Sequence, residues 1–265
     1  MNSRYLGALV LIPILALLMI GGWFLKITVL FLSVRALYEY FHVLEKKGHK
    51  PVKILGYGTW LTYFLVLFFV ENPISHLGII LSVLLAAGFV YMVFSRDATI
   101  TDIGITITGV IYTVVLFSFL VLLSEKENGQ YYVYSVFIIS WVCDTLAYYS
   151  GRLFGKHKLI ERVSPKKTVE GAIGGLIGGA SGAFVLGTVI YETSLISPWH
   201  FLLMGFVGAM FGQIGDLAAS SIKRYAQEKD YPKLIPGHGG ILDRFDSILF
   251  VSLVVYVYTT YVILL

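Results

Sequence analysis

Charge is scarce in this chain of 265 residues: Asp, Glu, Lys and Arg make up only 14% of it, while 57% is hydrophobic. A soluble domain carries about a quarter charged residues. So little polar material cannot cover a water-facing surface, and a soluble fold is excluded. Cysteine is nearly absent too. Cys143 stands alone, which rules out a disulfide within the chain and leaves no cysteine metal cluster. No internal repeat and no low-complexity tail are found, and the longest hydrophilic stretch is about two dozen residues. The Walker loop, HExxH and GxSxG patterns are missing.

What the chain has is long apolar runs. Eight uncharged stretches stand out, at 5–25, 54–70, 72–95, 103–124, 128–143, 171–191, 193–215 and 248–265. A helix needs about 20 apolar residues to cross the hydrocarbon layer. A ninth span, roughly 22–44, is interrupted by Lys26, Arg35 and Glu39. The expectation is an all-α, polytopic transmembrane protein of about nine helices. The first stretch, with Arg4 before it, has the outline of a signal peptide. It is long for one and lacks a small-x-small cleavage pattern, so it is read as a retained helix that turns at Gly21-Gly22 into the next. Residues 1–125 then hold about five spans, and 126–265 about four, with the polar loops that would form a catalytic region.

Positive residues collect in cytoplasmic loops. With the N-terminus inside and nine alternating helices, 17 of the 20 Lys and Arg fall inside. They are Arg4, Lys46, Lys47, Lys50, Lys53, Arg96, Arg152, Lys156, Lys158, Arg162, Lys166, Lys167, Lys223, Arg224, Lys229, Lys233 and Arg244. Lys26 and Lys126 fall outside, and Arg35 within a span. The two most polar stretches, 152–170 and 217–247, then face the cytoplasm together.

Arg35 and Glu39 stand at i,i+4, a spacing that pairs them on one helix, with a contribution to a site as the sharper alternative. The basic stretch 42–53 reads as a topology determinant that would also draw anionic lipids. Trp60, Trp141 and Trp199 read as interfacial anchors. Glycines at 171/175/179 and 174/178/182, and at 205, 208, 212 and 215, form rows of small residues that let helix backbones approach closely in lipid. Such rows serve packing within the chain or a homodimer.

Chemistry concentrates in the second half. Asp144 follows sixteen uncharged residues, Asp216 ends an uncharged run of 23, and Asp243 and Asp246 precede the last span. Four carboxylates at the inner ends of helices six, eight and nine point to a shared hard cation such as Mg²⁺. Asp243, Asp246 and Ser247 share one helical face, as do Asp216, Ser220 and Lys223. In SPKKTVEG, Thr168 is placed to cap a helix whose free N–H groups suit phosphate, with Lys166 and Lys167 beside it. Lys223, Arg224, His238 and Arg244 accompany the glycines of IPGHGG, which allow close backbone approach to a ligand. Metal-binding carboxylates beside phosphate-binding cations define a phosphoryl- or nucleotidyl-transfer site, with a lipid as one substrate.

These residues carry a resemblance. SSIKRYAQEKDYPKLIPGHGGILDRFDS, 220–247, resembles the signature of the CDP-diacylglycerol synthase (phosphatidate cytidylyltransferase) family: Ser-x-apolar-Lys-Arg, four residues, Lys-Asp, then His-Gly-Gly-apolar-x-Asp-Arg-apolar-Asp. Matching positions are Ser220, Ile222, Lys223, Arg224, Lys229, Asp230, His238, Gly239, Gly240, Ile241, Asp243, Arg244, Phe245 and Asp246. DTLAYYSGRLFGKHKL and SPKKTVEGAIGG look like further family segments, so the match covers about 140–250. Pro232 and Lys166 depart from the pattern. The resemblance implies that CTP and phosphatidate give CDP-diacylglycerol and pyrophosphate with Mg²⁺, in a site for one or two cations. It makes Lys167, Lys223, Arg224 and Asp246 the candidate catalytic residues. Ser164, Thr168, Ser220, His238, Gly239, Gly240 and Arg244 are the candidates for substrate binding, and Asp216, Asp243, Asp246 and Asp144 for metal. It further implies a multi-pass integral membrane location, the inner membrane in a bacterium, with the site facing the cytoplasm and no nucleic-acid partner. A CTP-dependent lipid or polyprenol kinase is the nearest alternative reading. A transporter is remote, because the charges cluster at one face rather than at the midplane. The DxxDGxxAR run of CDP-alcohol phosphotransferases is absent.

Overall fold

The computed structural model describes residues 3–234 and 239–263, with side chains from residue 12 onward. Among these residues nine long helices follow one another: α1 Ser3–Ile20, α2 Gly22–Lys46, α3 Lys53–Phe69, α4 Leu77–Phe94, α5 Ile100–Ser124, α6 Gly129–Phe154, α7 Val169–Val189, α8 Pro198–Tyr225 and α9 Leu242–Tyr258. Six of them, α2, α4, α5, α7, α8 and α9, are long and apolar enough to cross a membrane. The protein is a helical, polytopic membrane protein. Gly21 and Gly22, both at positive φ, make the turn between α1 and α2, a backbone that residues with a Cβ rarely adopt.

Two features depart from the sequence reading. The first is a small antiparallel ribbon, β1 Lys158–Ile160 with β2 Ser164–Thr168, where only helices and loops were expected. Its strands are too short to show a periodicity. The second is the reach of the helices. The span expected at 128–143 continues to Phe154, 193–215 continues to Tyr225, and the last helix begins at Leu242 instead of 248. Uncharged runs mark where lipid ends, whereas the backbone ladder continues wherever polar side chains find partners. Asp144 and Asp216 therefore lie well inside their helices, not at the ends.

The glycine rows join α6, α7 and α8. A Cβ on Gly179 would lie 2.5 Å from the Cβ of Ala209, and one on Gly205 would lie 2.6 Å from that of Ala183. Only small residues on both helices allow this approach, and in lipid such packing is a principal source of helix association. α2 and α5 pack against α9 and form much of the remaining core, with Leu25, Val29, Leu37, Phe41, Val114, Phe117 and Leu120 all buried. α5 is interrupted by a π-helical segment, Val110–Val115.

Candidate active site

The ribbon delivers the chain into α7. Thr168 caps that helix as expected, its Oγ1 accepting from Gly171 N at 3.1 Å. The first turn also holds the preceding loop. Glu170 accepts from the backbone N–H of Lys156 and His157, and its Oε1 lies 2.7 Å from His157 Nδ1. α6 crosses close by, because Gly151 and Gly171 leave room for each other's backbone.

Beside this junction opens a cleft of about 360 Å³. α6 contributes Asp144, Tyr148, Gly151 and Arg152, the ribbon contributes Leu159, Lys166, Lys167 and Thr168, α7 contributes Gly171 and Ala172, and α8 contributes Gln213 and Asp216. Lys167 Nζ lies 2.6 Å from Asp216 Oδ2. Ser220, one turn further along α8, donates weakly to Asp216 Oδ1 at 3.4 Å. The expected row Asp216, Ser220, Lys223 is thus joined at its first two members, but its ammonium turns elsewhere.

Lys223 is buried and pairs with Asp243 at 2.5 Å. The other oxygen of Asp243 accepts from Tyr231 N at 2.9 Å and Gly240 N at 3.0 Å. Asp243 therefore binds both ends of the loop between α8 and α9. Gly239 stands at φ +79°, a left-handed backbone that favours glycine, where a Cβ would collide with Asp243. Oδ1 of Asp243 thus meets the Lys223 ammonium, and Oδ2 meets the two loop amides. Asp246 faces the other way. Gly215 lets the Asp246 carbonyl come against α8, next to Asp216. Asp144, Asp216 and Asp246 interact electrostatically with one another. Asp246 Oδ1 accepts from Ser247 N at 2.8 Å.

Of the expected site residues, Lys167, Thr168, Asp144 and Asp216 line the cleft, and Asp246 adjoins it. Ser164 opens β2 and pairs with Ile160. Arg224 is exposed and donates to Glu228 O at 3.1 Å, and Arg244 is exposed on the first turn of α9. Gly239 and Gly240 shape the loop. His238 lies outside the described residues. Tyr148, Arg152 and Gln213 line the cleft without having been singled out, although Tyr148 and Arg152 at i,i+4 on α6 could have been found from Asp144 by helical spacing.

Glu39 was expected to pair with Arg35, with a contribution to a site as the alternative. It is fully buried on α2 and accepts from Ile241 N and Leu242 N at 2.9 Å each. A carboxylate from the first half of the chain thus caps α9, satisfying N–H groups that a helix start leaves open. Arg35 pairs with Glu39 at 3.0 Å, as its spacing foretold, and also donates to Pro232 O at 3.2 Å. The lysine loop engages the same region: Lys46 pairs with Glu228, and His49 Nε2 lies 2.8 Å from Tyr225 Oη. Trp60, expected at the interface, turns inward and donates to Ser33 Oγ at 3.0 Å.

Carboxylates and cations from α6, the ribbon and α8 thus meet in one cleft. The chain belongs to the cytidylyltransferase family, whose model matches residues 2–262. It is thereby a nucleotidyl-transferring enzyme. Proteins named phosphatidate cytidylyltransferase from Staphylococcus haemolyticus and Staphylococcus saprophyticus are 34% and 35% identical to it over 256 residues, 95% of this chain and 96% of each relative. The protein of the same name from Staphylococcus aureus strain COL is 35% identical over 261 residues, with the same coverage of both chains.

Proposed function

We propose that this chain joins CTP and phosphatidate to give CDP-diacylglycerol and pyrophosphate, with the site at the cytoplasmic side of the membrane. One observation carries the reading. Lys166, Lys167 and Arg152 meet Asp144 and Asp216 in a cleft at the N-terminus of a membrane helix. An oxygen of the phosphatidate monoester bonds to the α-phosphorus of CTP, the α–β P–O bond breaks, and pyrophosphate leaves with that electron pair. The monoester is largely ionised at neutral pH, so no strong base is required. Two polyanions must instead be aligned and their repulsion offset. Lys167 and Arg152 supply positive charge, the positive dipole end of α7 adds to it, and Lys167 exchanges its Asp216 partner for the incoming anion. The acyl chains stay in the bilayer while the head group enters from the side. Nine crossings with the N-terminus inside, argued from the lysine and arginine distribution, complete the proposal.

A divalent cation fits this donor set in chemistry. Carboxylate oxygens of Asp144, Asp216 and Asp246 suit Mg²⁺, and one or two of these residues would hold it. Among the described residues no three His, Cys, Asp or Glu side chains stand as a ready-made ligand group. That is in keeping with an ion usually bound by one or two carboxylates, with waters and substrate phosphates completing the shell. When bound, it would withdraw negative charge from the phosphates.

The test uses purified protein in detergent with phosphatidate and CTP labelled at either the α- or the γ-phosphorus, with and without Mg²⁺. Label from the α-position should enter lipid and depend on Mg²⁺. Entry of γ-label alone would make the protein a lipid kinase and end this reading.

A further inference from the structure

Two hydroxyls in the core have no partner. Among the described residues, Tyr112 Oη and Tyr231 Oη are the buried side-chain polar atoms without a hydrogen bond. Tyr112 is 7% exposed and Tyr231 1%. A buried hydroxyl left unpaired loses its bonds to water with nothing in return, so native proteins rarely retain one without a water or ligand atom to meet it.

Both tyrosines pack around the first turns of α9. Tyr112 belongs to the π-helical segment of α5, a distortion that frequently marks functional positions. Its ring packs against Tyr40 of α2 and Phe250 of α9, with centroids 6.1 and 6.4 Å apart. Phe250 in turn lies against Gly215, the residue before Asp216. Tyr231 is fixed by its own N–H to Asp243, and Lys223 Nζ stands 5.3 Å from its ring. The electrostatic neighbours of Tyr112 include Tyr231, Asp246 and Asp216; those of Tyr231 include Asp243 and Asp246. A phenol O–H can donate a hydrogen bond. The two phenols come from different halves of the chain, and Asp246 is the carboxylate common to both.

We propose that Tyr112 and Tyr231 are positioning residues: their hydroxyls share one ordered water with the carboxylate of Asp246 and hold that carboxylate toward the cleft. The assignment rests on Asp246 serving the transfer reaction. It gives the first half of the chain a part in the site beyond anchoring. One water accepting from both phenols still has two protons to donate, one of them to Asp246.

The experiment compares Tyr112→Phe, Tyr231→Phe and the double variant in detergent, by melting temperature and by steady-state transfer of α-label from CTP. Phe keeps the ring and its packing and removes only the oxygen. Each single variant should lower kcat about 10-fold while leaving KM for CTP within about 2-fold, an effect of roughly 1.4 kcal/mol. The double variant should be no worse than either single one, because one water is lost in all three. Melting temperature should fall in each. Full kcat with an unchanged or raised melting temperature would mean that the hydroxyls bind nothing. A lower melting temperature with full kcat would make the water purely structural. Additive losses would place the two hydroxyls on separate partners. Any of these outcomes overturns the proposal. If the wild-type protein transfers no α-label at all, the functional reading fails instead, while the melting comparison still tests whether the phenols share a partner.

Discussion

Two aspartates three positions apart, Asp243 and Asp246, look interchangeable in sequence and do different work. Asp243 neutralises the buried Lys223 ammonium and binds two loop amides. Asp246 faces Asp144 and Asp216. Their substitutions should therefore separate. Asp243→Ala leaves a buried cation and two N–H groups without partners and should destabilise by about 3–5 kcal/mol, seen as a large drop in melting temperature in detergent. Asp246→Asn removes one charge from a crowd of like charges. It should melt near the wild-type temperature while cytidylyl transfer is abolished. Full transfer by Asp246→Asn would remove that residue from the core of the site. A wild-type melting temperature for Asp243→Ala would refute the bracing role.

At the level of elements, α2 behaves as a clamp on the loop between α8 and α9. Glu39 holds Ile241 and Leu242 at one end, Arg35 reaches Pro232, and Lys46 pairs with Glu228 toward the other. Glu39→Ala strands these N–H groups and the Arg35 guanidinium. It should lower stability by about 3 kcal/mol and speed proteolysis within 226–241; unchanged cleavage of that loop would refute the clamp. This arrangement shows what sequence could and could not reveal. Thr168 as a cap and Arg35–Glu39 as a pair were legible because both are local, set by spacings of three and four residues. The approach of α7 to α8 was legible from its glycines. The partners of Lys167 and Lys223 were not, since each reaches from its own element to a carboxylate chosen by tertiary packing. Nor was the cap on α9 from Glu39, which spans about two hundred positions. The ribbon gave no signal because three- and five-residue strands carry too few alternations to register.

For the whole molecule, the proposed topology places 155–168 and 226–241 on one side of the membrane and the connection 125–128 on the other. Cys143 is the sole cysteine and is buried, so single cysteines can be introduced with little background. Lys156→Cys should react with an impermeant maleimide only from the cytoplasmic side, and Glu127→Cys only from the opposite side. Labelling of both from one side would invert the proposal. The burden of folding is also spread unevenly. The apolar window of α5 is 78% buried, whereas that of α4 is 11% buried. Most of α4 is exposed on the outside of the bundle, so on that face its demands on sequence reduce to length and oiliness. Such a helix is free to drift over evolutionary time, and for the experimenter it offers a peripheral handle where a spectroscopic probe or a lipid-facing crosslinker can be attached without touching the reaction centre.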